Sequence, residues 1–418
     1  MRALIYILLS FISGYCLADD TDDQTSEIHP KCFKNSYQIS TSGDLLEISD
    51  CQTISESIYI HGYDAELLDL GSISQIKGDL KISNASQILR IEALGLESID
   101  GSFELNTLTS LTSASFPKLE SVNILDWRVL PILSSVNLDK GIKRISSVIL
   151  SDTSLTGFGG FNVENLKTLR IDNNRFLEMI ESSVKEISGD LLIAANARNL
   201  KVKLPELKWV KSALIKNTDE LDLSALQVIQ SSAEFIENRF KELSLPKLKS
   251  AGTTLSIIDN NWLENADFSS LVEIGGGLMI INNDKLTQIN FFPMLKSVGG
   301  ALEFEGDIDS NEFRQLKVVK GSAILKSSSN KFNCQSWVDQ EVSTVVRGGK
   351  IECGSGNSEF TEVIHVDESG ERTSRTTGRN NAKTTKGINE ANGSTGPLGV
   401  SMILAFAGIL AHLSRELI

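Results

Sequence analysis

From residue 58 to residue 330 apolar and polar residues alternate over four or five positions, break at a turn, and resume about twenty residues later. Alternation of period two marks a strand buried on one face. The first apolar position of each run falls at residues 58, 80, 103, 124, 148, 169, 191, 213, 233, 255, 278, 302 and 323, at intervals of 20 to 24. A phrase Leu-x-x-Val/Ile precedes many of these runs in phase: 96–99 before Phe103, 207–210 before Ala213, 226–229 before Ala233, 271–274 before Leu278, 295–298 before Leu302 and 316–319 before Ala323. The dipeptides Phe116-Pro117, Leu204-Pro205, Leu245-Pro246 and Phe292-Pro293 keep the same phase, 13 to 15 residues after their strands. Two independent markers sharing one period define a repeat array, not the two domains that length alone suggests.

A unit with two or three inward apolar side chains cannot bury itself, so it must stack on its neighbours. Parallel pairing at about 4.8 Å spacing then builds a sheet along the whole array. Asn84, Asp152, Asn173, Asn217, Asp259 and Asn282 follow soon after their strands, and these side chains tolerate the left-handed backbone of a tight corner. A period near 22 suits a leucine-rich-repeat horseshoe or a parallel β-helix. Ser, Thr, Gly and Pro interrupt any helical stretch between the strands. The expected fold is an all-β solenoid over residues 32–353, right-handed and parallel β-helix-like, with about thirteen rungs and capped ends.

The two ends of the chain set the compartment. Arg2, an apolar run from residue 3 to 12, and Cys16-Leu17-Ala18 form a secretory signal over residues 1–18. An acidic segment, 19–31, follows. At the other end, Asn392-Gly393-Ser394, a short spacer and an apolar tail read as a GPI-attachment signal removed as residues 393–418. Asn392 is the expected attachment residue, with Gly393 and Asn389 as alternatives, and a single spanning helix is the competing reading. Residues 354–392 are rich in Gly, Ser, Thr, Asn and charge and read as a disordered stalk.

Secretion leaves Cys32, Cys51, Cys334 and Cys353 in the mature chain, two local pairs flanking the array. The simplest connectivity is Cys32–Cys51 and Cys334–Cys353, each closing one end; zinc would want tighter ligand spacing. A net charge of −14 argues against a nucleic-acid partner.

These features together resemble the fungal cell-wall and sporulation-specific GPI protein family, which carries receptor L-domain-like repeats. The likeness rests on the signal peptide, the N-terminal cysteine pair, repeated I-x-G-x-L-x-I-x-x-N units, and stretches such as 147–155, 255–260, 298–303 and 327–334. It implies a non-enzymatic surface protein organising the cell wall or ascospore wall. The implied partners are the membrane, through a GPI lipid, and wall glucan or other wall proteins; no cofactor is implied. Two sequons are present, at Asn84 and Asn392, and only Asn84 is expected to carry glycan, because Asn392 is taken by the anchor.

A search for chemistry finds little to set against that reading. Glycoside hydrolysis needs two carboxylates about 5–9.5 Å apart. Glu237 and Asp259 on adjacent rungs are the nearest candidates, and they read as turn residues. Four histidines are too few for a triad at any evident place, and His61 reads as a strand end. Gly275-Gly276-Gly277 reads as a tight corner, not a phosphate loop. Trp127, Trp209, Trp262 and Trp337 could stack on sugars and are expected to be core or capping aromatics. Three functions from different classes follow: a wall scaffold, a receptor-like ectodomain, and a wall-remodelling enzyme.

Overall fold

The computed structural model describes residues 30–356 and 360–379. Its strands stack parallel, each on the one before. Ile58 lies beside Leu80, Leu80 beside Phe103, Leu169 beside Leu191, and Leu302 beside Ala323. Two residues on, a second inward column runs in step: Ile60, Ile82, Leu105, Trp127, Leu150, Ile171 and onward to Leu325. Both columns are essentially free of solvent. Each Leu, Ile, Val or Phe among them stabilises the fold by about 1.5–3 kcal/mol, and the alanines at 213, 233 and 323 contribute less.

One phase mark moves. The inward residue of the fourth rung is Leu125, which pairs with Phe103 and Val148, while Ile124 faces outward and is half-buried. The register slips between Val122 and Ile124, and two consecutive apolar residues hide such a slip from the sequence.

Each rung is three-sided. One short strand precedes the corner, such as Glu273–Ile274; the main strand follows, such as Leu278–Ile281; a third closes the far side, such as Gln288–Ile289. The first two kinds belong to one 25-stranded sheet among the described residues, and the third forms smaller parallel sheets. Gly275 sits at the corner between the first two, where an added Cβ would meet Gly252 O at 2.0 Å, and Gly299 stands in the same relation to Gly275. These glycines are the tight corner expected, and close stacking of rung on rung requires them.

Beyond the thirteen rungs one more strand stacks at either end, Tyr37–Ile39 below Ile58 and Gly349–Gly354 above Ala323. Both ends are covered. Cys32 is bonded to Cys51, with the helical turn Pro30–Phe33 and the helix Ser42–Leu46 folded over the first strand. That helix starts with a reciprocal cap between Thr41 and Asp44. Cys334 is bonded to Cys353, and Cys353 itself occupies the second inward column beside Leu325. Helical turns Cys334–Ser336 and Trp337–Val342 place Trp337 and Val338 over that end.

The expectation of an unordered stalk from Gly354 is corrected for residues 360–379. Strands Phe360–Val366 and Arg372–Arg379 continue the sheet antiparallel, with Ile364 beside Ile351. Ile364 and Val366 are buried, and the turn between the strands is set by the Asp367 carboxylate, which accepts from the Ser369 and Glu371 amides at 2.9 Å. Two buried apolar positions sufficed where the polar composition suggested none. The signal peptide, the acidic segment to residue 29, the chain from 380 onward, and the attachment candidates Asn389, Asn392 and Gly393 lie outside the described residues.

Candidate interaction surface

At the end of each of the first twelve main strands the backbone turns left-handed at one residue: Gly62, Asn84, Thr107, Val129, Asp152, Asn173, Ala195, Asn217, Glu237, Asp259, Asn282 and Gly306. The six Asn and Asp residues expected at corners are all among them. As far as Asn283 the next residue points inward, and its chemistry changes along the axis; after Gly306 it is the exposed Asp307. Tyr63, Ala85, Leu108 and Leu130 fill this position in the N-terminal rungs, then Thr153, and then asparagine in most rungs: Asn174, Asn196, Asn238, Asn260 and Asn283.

The asparagines form a ladder. Asn260 Nδ2 donates to Phe235 O at 2.9 Å and to Asn283 Oδ1 at 3.0 Å, while its Oδ1 accepts from the Asn238 amide at 2.9 Å and from Asn238 Nδ2 at 3.0 Å. Asn174, Asn196 and Asn238 repeat the pattern. Thr218 breaks it: its amide donates to Asn238 Oδ1, but its buried hydroxyl has no partner among the described residues. This ladder escaped the sequence reading, although the doublets Asn173-Asn174 and Asn282-Asn283 carried the signal.

The outer face of the main sheet is also two-sided in character. Its N-terminal part is ion-paired across and along strands: Lys81 with Glu104 at 3.7 Å, Arg128 with Asp126 at 2.7 Å, and Arg170 with Asp172 at 2.7 Å. Asp172 also accepts from Ser151. Further on the outward residues become apolar, with Leu192, Leu214, Ile236, Ile258, Met279 and Ile281 half-buried against one another. Glu234 sits among them, in register between Leu214 and Ser256, and burial pushes its carboxyl above the usual carboxylate range.

The corners beyond the ladder differ in length. After Asn260 and Asn283 come two exposed residues before the buried leucine: Asn261-Trp262 and then Leu263, Asp284-Lys285 and then Leu286. Each turn closes by a leucine amide donating to the asparagine carbonyl, at 3.0 and 2.9 Å. After Asn238 only Arg239 precedes buried Phe240, and after Thr218 the chain passes at once through Asp219 into the strand Glu220–Asp222. Two short corners therefore lie between the long ones that carry Arg198 and Trp262. This leaves a notch about three rungs, or roughly 14 Å, across. Arg239 lies over its floor, donating through Nε to Arg198 O at 2.9 Å and through Nη2 to Asn217 O at 3.1 Å. Burial, with the Arg198 charge second, holds the Arg239 guanidinium below its usual range. Trp262 stands at the far wall, 48 % exposed, with Lys285 Nζ 4.7 Å from its ring.

The other expected candidates fall as follows. Cys32, Cys51, Cys334 and Cys353 form the two disulfides described above. Asn84 is exposed on its corner, with buried Ala85 behind it. Glu237 is held by Lys216 at 3.3 Å and by Asn217 Nδ2 at 3.4 Å, a turn residue in an ion pair. His61 ends its strand, 3.2 Å from Ser83 Oγ. Trp127 and Trp337 are core and cap aromatics, and Trp209 is half-buried. The same expectation for Trp262 is corrected, because its corner projects beyond the two before it.

No family model matches the chain, and no solved structure does. Among curated proteins it is 42 % identical over 371 residues to sporulation-specific protein 2 of Saccharomyces cerevisiae, covering 88 % of this chain and 73 % of that one. It is 30 % identical over 316 residues to a cell surface GPI-anchored protein of Arthroderma benhamiae, covering 75 % and 81 %. It is 33 % identical over 316 residues to the cell wall mannoprotein PST1 of Saccharomyces cerevisiae, covering 75 % and 70 %.

Proposed function

The chain belongs to the fungal family of sporulation-specific and GPI-anchored cell-wall proteins, and from that premise we propose that it is a non-enzymatic organiser of the cell wall or spore wall. It works at the cell surface, held to the outer leaflet by a GPI lipid. The observation that carries this reading is the 42 % identity over 371 residues with a sporulation-specific relative. That similarity is longer than the solenoid itself.

The physics of the body suits a scaffold. Among the described residues, parallel rungs stacked between covered ends give long continuous sheet faces. Glu237 and Asp259, the two carboxylates weighed for hydrolysis, are corner residues with left-handed backbone, and Glu237 is ion-paired with Lys216 at 3.3 Å, the surroundings of turn residues. Wall glucan and wall proteins are the proposed partners. The exposed Asn84 corner is the proposed glycosylation site, and Asn392 the proposed anchor site, with Gly393 and Asn389 as alternatives.

The test is release from intact cells. Phosphatidylinositol-specific phospholipase frees a lipid-anchored chain, and β-glucanase frees one linked to the wall. Material resistant to both and extracted only by detergent would overturn the anchor. Normal walls and spores in a deletion strain would overturn the organising role.

A receptor-like reading is favoured by one observation, the apolar run of Leu192, Leu214, Ile236, Ile258 and Met279 on the outer sheet face. A flat face of that kind suits a partner surface more than solvent.

A further inference from the structure

We infer that the notch between Arg198 and Trp262 is a saccharide subsite, in which a pyranose ring of a wall glycan stacks on Trp262 and offers its oxygens to Arg198 and Arg239. The inference rests on the wall reading above and gives it a place on the molecule.

In a solenoid each exposed corner residue is normally flanked by its equivalents one rung before and one rung after. Trp262 has such a neighbour on one side only: Lys285, the equivalent residue of the next rung, lies over the ring at 4.7 Å. On the other side the equivalent residue does not exist, because the turn after Asn238 is one residue shorter and the turn after Thr218 shorter still. The side of the indole turned away from Lys285 therefore gives onto the notch. This is why an indole on a soluble rod stays 48 % exposed.

The ring is held in place. Lys285 pairs with Glu264 at 3.3 Å while its Nζ lies 4.7 Å from the indole centroid, and a cation over a tryptophan face is attracted to it. A pre-set aromatic plate costs little entropy when a ligand stacks on it.

The floor and far wall supply donors. Arg239 spends Nε and Nη2 on two backbone carbonyls, which fixes its plane and leaves further N–H groups of the guanidinium. Arg198 is exposed, and its guanidinium has no hydrogen-bond or ion-pair partner among the described residues. A flat apolar plate beside fixed N–H donors matches a sugar ring, with one C–H face and a rim of oxygens. A peptide partner would call for a longer apolar surface than one indole.

The test uses the mature chain and two kinds of oligosaccharide, neutral β-linked gluco-oligosaccharides and phosphate-bearing manno-oligosaccharides. Binding is followed by tryptophan fluorescence and by calorimetry. Both kinds share the pyranose stack; strong weakening by salt identifies the anionic source, and salt-independent binding the neutral one. Trp262→Ala should weaken binding about tenfold or more, and Arg198→Ala should weaken it less. Met294→Ala, at another exposed apolar corner residue, should leave it unchanged. Inserting one residue after Arg239 would restore the normal turn length and should abolish binding, with thermal melts checking that all four variants fold.

Wild-type protein that binds neither oligosaccharide, or a Trp262→Ala chain that binds as wild type does, overturns the subsite. So does capture of a wall protein that Trp262→Ala leaves intact, if no oligosaccharide binds. Surface anchorage is scored separately by phospholipase release. A surface-anchored chain with no sugar binding sinks the subsite and spares the wall reading, whereas sugar binding by a chain absent from the surface does the reverse.

Discussion

The first four corners and the ladder corners trace the same backbone path and fill it with opposite chemistry. From Tyr63 to Leu130 the residue after the left-handed turn is apolar; from Asn174 to Asn283 it is an amide in most rungs. In the first region stability is a matter of volume, since close-packed side chains lose contacts and leave a cavity when shortened. In the second it is a matter of counting donors and acceptors, since each amide serves two rungs and a gap leaves buried groups unpaired. The turn shape is thus common property of the repeat, and the filling is a local choice. The two regions should then fail to different kinds of substitution.

The largest expected effect lies in the apolar region. Trp127 packs edge-on against Phe103 at 5.5 Å and Phe158 at 6.5 Å and is fully buried. Trp127→Ala should cost about 3–5 kcal/mol, read from denaturant midpoints. Leu130→Met, which keeps volume, should cost less than about 1.5 kcal/mol. Equal losses from the two would mean that volume does not govern this region.

The ladder should show the reverse, with shape kept and chemistry lost. Asn260→Asp is nearly isosteric, yet it turns a carboxylate oxygen toward Phe235 O and Asn283 Oδ1, where Nδ2 now donates. The expected cost at neutral pH is about 3 kcal/mol or more, and acid should recover part of it by protonating the new group. A loss under about 1 kcal/mol would show that the ladder is incidental.

These two regions also mark what the sequence could tell. The period, the stacking and the Asn and Asp corners were readable because each recurs every 22 residues or so. The ladder was not, because its residue follows the corner residue directly, and Asn-Asn reads as one turn signal although the two side chains point opposite ways. The end strand at Ile351 was hidden because the cap stretches the spacing after Ala323, whereas Tyr37 keeps the period before Ile58 but lies inside the disulfide loop region read as a cap. The hairpin after Cys353 was hidden because, among the described residues of its two strands, Ile364 and Val366 alone are buried. The notch was visible only as the shortest interval, Ala213 to Ala233. A missing residue has no letter to notice; its effect appears once rungs are laid side by side.

Thr218 offers a gain instead of a loss. It interrupts the ladder with a buried hydroxyl that has no partner among the described residues, while Asn196 lies on one side and Asn238 on the other. Thr218→Asn would supply an Oδ1 for the Asn196 amide and an Nδ2 for Ile193 O, following the geometry of Asn238 with Ile215 O. The expected stabilisation is about 1 kcal/mol, as a raised unfolding midpoint. Destabilisation would mean that the short rung cannot admit an amide, and would set the ladder's limit at the notch.

The smallest effect carries the comparison to the outer face, where ion pairs dominate the N-terminal part and apolar residues the middle, from Leu192 to Ile281, with Lys216–Glu237 at its edge and Glu305–Lys326 beyond it. Glu234 is the acid stranded in the apolar part, and burial raises its pKa. Its folded-state value therefore lies above its unfolded one. Between the two the native state holds more protons, so stability falls as pH rises through that window and stays lowered above it. Glu234→Gln removes the titration and should raise stability at neutral pH, with the gain vanishing below the ordinary carboxylate range. Glu104→Gln, which takes an acid from the Lys81 pair, should instead lose at most about 1 kcal/mol. Melts of both variants at neutral and acid pH decide it. A Glu234→Gln gain that persists in acid would come from packing, and the apolar face would then owe its character to shape and not to the carboxylate it buries.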